Sequence, residues 1–196
     1  MLANMIDDNV TPEVRDEEFL SFFEERILKE RKKKSRNRLF IDLIITAVVV
    51  FVLFSVVTGL AVVQGDSMKP NFTNGSVALF YRLNHAFATN DIVIFYPADE
   101  GTLLIKRVVA VAGDVVDIND KTGELMVNNV IQDNDTIIGK TEVRDGGVTF
   151  PYTVPDGSVF VMGDNREVAA DSRDFGAVET KRLLGKVTFE IKMVNG

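Results

Sequence analysis

In a chain with no cysteine and a single histidine, nucleophilic catalysis falls to hydroxyl or amine side chains, and two positions stand out. Ser67 lies in Gly65-Asp66-Ser67-Met68-Lys69-Pro70, just beyond a long apolar run. A nucleophile working at a bilayer surface would sit there, and so would an ordinary turn. A serine hydroxyl needs a base to take its proton. The lone histidine, His85, stands in Asn84-His85-Ala86-Phe87, away from any aspartate pattern that would orient it, so a Ser-His-Asp triad is not supported. The remaining base is a lysine kept uncharged, which requires burial among apolar side chains or a neighbouring cation. Lys106 lies in Leu103-Leu104-Ile105-Lys106-Arg107-Val108-Val109-Ala110-Val111. Strand alternation places Leu104, Val108 and Ala110 on its face and Arg107 on the other. A strand lysine also reaches water along its stem, so these residues alone leave base and surface lysine both open.

The elements that must position these residues follow from hydropathy. Residues 43–63 run 21 positions without a charge, about 31 Å as a helix, against a hydrocarbon core of roughly 30 Å. Residues 29–38 immediately before carry seven Lys or Arg. This predicts a membrane helix over 39–63, with residues 1–38 cytosolic and 64–196 outside, at the plasma membrane. The apolar run is longer, and its charged preface larger, than a cleavable signal peptide has. Asp42 lies one helical turn from Arg38 and pairs with it at headgroup level. In the tail, Thr11-Pro12-Glu13 reads as a helix start, and Phe19, Phe23 and Ile27 recur at fours, which predicts a short amphipathic helix in a largely solvated segment.

After Gln64 the pattern becomes β. Short β-branched or aromatic runs at 77–81, 92–96, 103–111, 115–118, 125–127, 159–162 and 187–193 are separated by turns such as Asn74-Gly75 and Asp156-Gly157. They predict a mainly β domain over 64–196, with antiparallel sheets forming a partial barrel or sandwich, a hairpin insertion at about 119–158, and one short helix near 179–184. The net charge of −7, with its basic run confined to the tail, excludes a nucleic-acid face. The likeness of Asp117-Ile118-Asn119-Asp120-Lys121-Thr122-Gly123 to a calcium loop fails because Lys121 takes a ligand position and the closing Glu is missing. No metal or cofactor is expected.

Four segments in order, Gly65-Asp66-Ser67-Met68-Lys69-Pro70, Asn90-Asp91-Ile92-Val93-Ile94-Phe95, Lys106-Arg107-Val108-Val109-Ala110 and Gly163-Asp164-Asn165-Arg166 with Asp171-Ser172-Arg173, resemble the consecutive boxes of type I signal peptidases. The likeness covers roughly residues 40–196, with the single anchor of the Gram-positive branch. It implies a Ser-Lys dyad in which Ser67 is the acylating nucleophile and the oxyanion donor through its N–H, and Lys106 is the general base. It implies structural roles for Arg107, Asp164, Asp171 and Arg173, and substrate pockets formed by Val63, Gly65, Met68 and Phe72 on one side and Ala61, Ala78, Val93 and Ile105 on the other. It implies as partners the signal peptides of exported preproteins, cut after small-x-small motifs, together with membrane lipid and the translocation machinery. Two positions depart from the pattern. Gly65 stands where some relatives place an oxyanion serine, and Ala169 where many place a serine that holds the lysine. A tethered binding domain with decayed boxes is the non-enzymatic rival; a self-cleaving regulatory Ser-Lys protease lacks the DNA-binding helix pair expected ahead of it.

Overall fold

The computed structural model describes residues 12–83, 86–97, 101–132 and 136–192, with side chains from Phe22 onward. His85 and Thr11 lie outside these residues, as does the side chain of Phe19. The chain divides into two compact units, Met1–Leu53 and Phe54–Gly196.

Helix α1, Pro12–Val57, opens with proline at its first position, where a missing N–H costs nothing. The expected short tail helix and the expected membrane helix are one continuous element. From Leu39 to Val56 its large apolar side chains are exposed on every side, the condition of a helix whose partner is a hydrocarbon medium. Among the described residues it is the one helix long and apolar enough to cross a membrane. It ends earlier than the apolar run does. Residues 58–62 form strand β1, Thr58–Val62, and not helix as expected for 39–63. The terminal carbonyl of Val57 accepts from Arg82 N at 2.9 Å, and Gly59 lies under the Phe80 ring where a Cβ would overlap it. Local hydropathy does not distinguish a buried strand from a helix; antiparallel pairing with residues 77–81 does.

The β unit holds two antiparallel sheets. The larger contains β1, β2 (Val77–Tyr81), β3 (Ile92–Phe95), β4 (Leu104–Val111), β9 (Ser158–Met162), β10 (Val178–Glu179) and β11 (Leu183–Ile191), in the order β1-β2-β11-β3-β4-β9-β10. The smaller contains β5 (Val115–Ile118), β6 (Leu125–Val127), β7 (Val130–Ile131) and β8 (Tyr152–Thr153), in the order β7-β6-β5-β8. The stretch 119–158, expected as a hairpin insertion, contributes β6, β7 and β8 to this second sheet, of which only β6 and β7 pair as a hairpin. Near 179–184 the helical content is one 3-10 turn, Thr180–Arg182. Register shifts in β4 and β11 mark bulges, which bend a sheet toward a partial barrel.

The bulge in β4 corrects one expectation. Arg107 pairs with Met162 and Val108 with Val161, but Ala110, not Val109, pairs with Phe160. One extra residue inverts the facing beyond it. Ala110 therefore packs with Phe160 and Met162, while Leu104, Val108 and Val111 pack with Val93, Phe95 and Val161.

Candidate active site

Ser67 is carried by the segment between β1 and β2. Gly65, with φ of 80°, turns the chain and donates its N–H to Asn74 Oδ1 at 3.1 Å. Its positive φ favours glycine, although a Cβ there would meet nothing. Beyond the turn, Met68 and Phe72 are buried with Ala61, Val63, Ala78 and Ile105, and Phe72 N donates to Met68 O at 2.8 Å. These apolar anchors fasten the segment so that Ser67 faces inward.

Lys106 arrives from the middle of β4, opposite Val93 on β3. It is only 2% exposed, and its Nζ donates to Ser67 Oγ at 2.8 Å. Burial pulls the amine below its ordinary value; the carboxylates of Asp171 and Asp164 oppose that pull and the Arg173 guanidinium assists it. A hydroxyl within one hydrogen bond of an amine that resists protonation is the geometry of an activated nucleophile.

A third segment, the loop 163–171 leading into helix α2, Ser172–Phe175, supports both. Asn165 N donates to Ser67 O at 3.0 Å. Gly163 faces Ser67 O and the Ala169 methyl, and a Cβ on it would overlap that methyl and stand 2.6 Å from Ser67 O. Gly163→Ala is therefore expected to cost about 1–3 kcal/mol of stability through overpacking, read as a lower midpoint in denaturant unfolding; an unchanged midpoint would show that the loop can yield there.

Ion pairs fix this loop. Arg107 grips Asp164 with two bonds of 2.7 Å, and Asn71 Nδ2 donates to the same carboxylate at 2.7 Å. Arg173 and Asp171, both 0% exposed, form a second fork at 2.9 and 3.0 Å. Asp171 also accepts from Gly163 N and Arg173 N, each at 3.1 Å, and joins Asp174 in a capping box on α2. Arg107, Asp164, Asp171 and Arg173, expected to be structural, are the members of these two forks. Two further arginines have no role assigned from the sequence: Arg166, which lies in the last box and is buried with Nε on Gly163 O at 3.0 Å and Nη1 on Thr141 Oγ1 at 2.8 Å, and Arg144. Apart from the Gly163 carbonyl, the partners of these arginines lie 22 to 25 residues away, so local sequence carries little signal of them.

Ser67 and Lys106 stand in a cleft whose walls include Ala61, Val63, Ala78 and Ile105 of the expected pocket residues, joined by Ile94 and Leu103. Met68 and Phe72 sit in the core behind these walls. Val93 does not line the cleft. It packs with Phe95, Val108 and Val161, and alternation along β3 presents Ile94 instead. Among the described residues no cluster of potential metal ligands occurs.

Residues 36–192 match the family described as signal peptidase, peptidase S26. Signal peptidase IB of Staphylococcus aureus is 29% identical over 174 residues, which cover 80% of this chain and 90% of that protein. The chloroplastic thylakoidal processing peptidase 1 of Arabidopsis thaliana is 31% identical over 159 residues, covering 74% of this chain and 45% of that protein. A crystal structure of a signal peptidase I from Enterococcus faecalis aligns with a TM-score of 0.43 and 27% identity, covering 53% of this chain and 97% of that one.

Proposed function

The chain belongs to the signal peptidases of peptidase family S26, and on that basis we propose that it is a membrane-anchored serine endopeptidase that removes signal peptides from exported preproteins with Ser67 as nucleophile and Lys106 as general base. The observation that carries the dyad is the 2.8 Å contact between Lys106 Nζ and Ser67 Oγ.

In the proposed cycle the uncharged Lys106 amine takes the Ser67 hydroxyl proton as Oγ attacks the scissile carbonyl carbon. The oxyanion that forms is met by the Ser67 N–H, to which no described residue offers an acceptor. The Lys106 ammonium then passes its proton to the leaving amine, the new N-terminus of the mature protein. Water, deprotonated by the same amine, attacks the acyl-Ser67 ester, and the ammonium returns its proton to Oγ as the signal peptide leaves as a carboxylate. No histidine is required.

Backbone geometry supports an extended substrate. β1 is an edge strand, and β4 pairs with β3 over Leu104–Arg107 but meets β9 only from Arg107 onward. Val62 on one strand and Leu104 and Ile105 on the other border the cleft, so both walls offer unpaired strand backbone to a peptide lying between them. Ala61, Val63, Ala78, Ile94 and Ile105 leave no charged partner for the side chains pointing into the walls, which favours small apolar residues before the cut. With the apolar part of α1 crossing the bilayer, the basic cluster at 29–38 earlier in the same helix sets residues 1–38 on the cytosolic side and the catalytic unit outside. Ser67 follows the end of α1 by ten residues (67 − 57), close to where a membrane-embedded signal peptide exposes its end. Translocation machinery is a natural neighbour at that depth.

The test uses the full chain in detergent micelles with a preprotein substrate, reading the new N-terminus by mass and the rate against pH. Cleavage after small-x-small is expected. The rate should rise with pH as Lys106 loses its proton and level off below 10.5, the ordinary lysine value, because burial depresses the folded-state value. A rate that is flat from mildly acidic to alkaline pH would remove lysine as the base.

A further inference from the structure

Residues 138–150 contain no helix or strand beyond a single bridge from Ile138 to Asn165, yet they are laced to the loop 163–173 along their whole length. Ile138 N donates to Asp164 O and Arg166 N to Ile138 O, each at 2.9 Å. Arg173 Nη1 reaches Glu142 O at 3.2 Å, and Val148 N reaches Arg173 O at 2.9 Å. Gly147 lies so close to Arg173 O that a Cβ would overlap it.

Within this lacing, Arg144 gathers the loop itself. Its Nη2 donates to the carbonyls of Arg166 at 2.9 Å, Glu167 at 3.1 Å and, at the limit of hydrogen bonding, Ala169 at 3.4 Å. Three carbonyls from four consecutive residues, none of them in a sheet ladder, converge on one charged donor. The same stretch meets the nucleophile: Ala169, 3% exposed, closes over Gly163 beside Ser67 O. Alanine has no polar side-chain atom with which to touch the dyad. Residues 166–169 therefore act on Ser67 through where their backbone lies, and a guanidinium, with several donors in a rigid plane, is suited to fixing carbonyls outside any sheet ladder; Arg173 Nη2 shares Arg166 O at 2.6 Å.

We propose that Arg144 is a positioning residue for the Ser67–Lys106 reaction, holding the 166–169 loop against the dyad by gathering its carbonyls. This rests on the dyad reading above. The charged groups that act on the Lys106 amine are Asp171, Asp164, Arg173 and Asp174. Arg144 is not among these largest contributors, so a change in pH dependence on its removal points to a moved loop more than to a lost neighbouring charge.

The experiment compares the full chain with Arg144→Met, Arg144→Lys and, as a control on the same strap, Val143→Ala, measuring kcat and KM on a preprotein across pH together with the folded fraction. Arg144→Met should lower kcat by about 10- to 100-fold, the scale of a small misplacement of reacting groups, with KM within about twofold. The rising limb of its pH profile should move to higher pH, because a loosened cover lets water stabilise the ammonium. Arg144→Lys should recover part of the loss, and Val143→Ala should match the parent. An unchanged kcat and profile in Arg144→Met, a change confined to KM, or a loss that only tracks the folded fraction with an unmoved profile would each overturn the proposal. Inactivity of the parent chain in the same assay would instead sink the Ser-Lys reading.

Discussion

Ser67→Ala and Lys106→Met are each expected to lower preprotein cleavage by on the order of 10⁴-fold or more, the scale seen when one member of a nucleophile-base unit is removed. The double variant should be scarcely worse than either single one, since neither group works without the other. The two differ in stability. Lys106 is buried with its proton affinity depressed, so below 10.5 the unfolded chain binds more protons at this site than the folded one, and folding carries a penalty that grows as pH falls and is complete below the folded-state value. Methionine fills a similar volume without that penalty. Lys106→Met should therefore unfold at a higher temperature than the parent at neutral pH, with the advantage shrinking toward pH 10.5, while Ser67→Ala shows no such trend. Rate assays and thermal unfolding across pH check both halves. Appreciable cleavage by either variant would end the dyad.

The second large effect is on folding. Arg173→Met leaves the Asp171 carboxylate buried without its guanidinium partner, and breaking such a pair from one side costs about 3–5 kcal/mol. Asp171→Asn leaves Arg173 equally stranded and also weakens the bonds to Gly163 N and Arg173 N. Either change should lower the denaturant midpoint of the catalytic unit and carry activity down with it, because the loop that holds Ser67 O is fastened through Gly163 and Asn165. Combining Asp171→Asn with Arg173→Met should cost less than the sum of the two, since no unpaired charge remains. Strict additivity in unfolding measurements would mean that the fork at 2.9 and 3.0 Å contributes nothing as a pair.

Much of this protein is local information. A 21-residue uncharged run behind seven basic residues specifies a membrane-length apolar helix by length alone, and the strands Val77–Tyr81, Val115–Ile118 and Leu125–Val127 follow from alternation bounded by turn residues. The ordered boxes pointed to the family, and they contain Ser67 and Lys106. Sequence separation hides the rest. That α1 yields to β1 at Val57 depends on β2 offering a partner for Thr58–Val62, and that Ala110 leaves the Lys106 face depends on one bulged residue in β4. That Ile94 and not Val93 meets the cleft depends on which side of β3 the cleft forms. Hydropathy could place Lys106 in a strand, but only the packing of β4 beneath the Ser67 segment and the 163–171 loop brings Nζ to 2.8 Å from Oγ across 39 positions of chain and shuts out the water that would keep the amine charged. Arg144 shows the same limit from the other side, since a surface-pattern arginine becomes a loop fastener only when tertiary folding presents it with three loop carbonyls, one of them shared with Arg173.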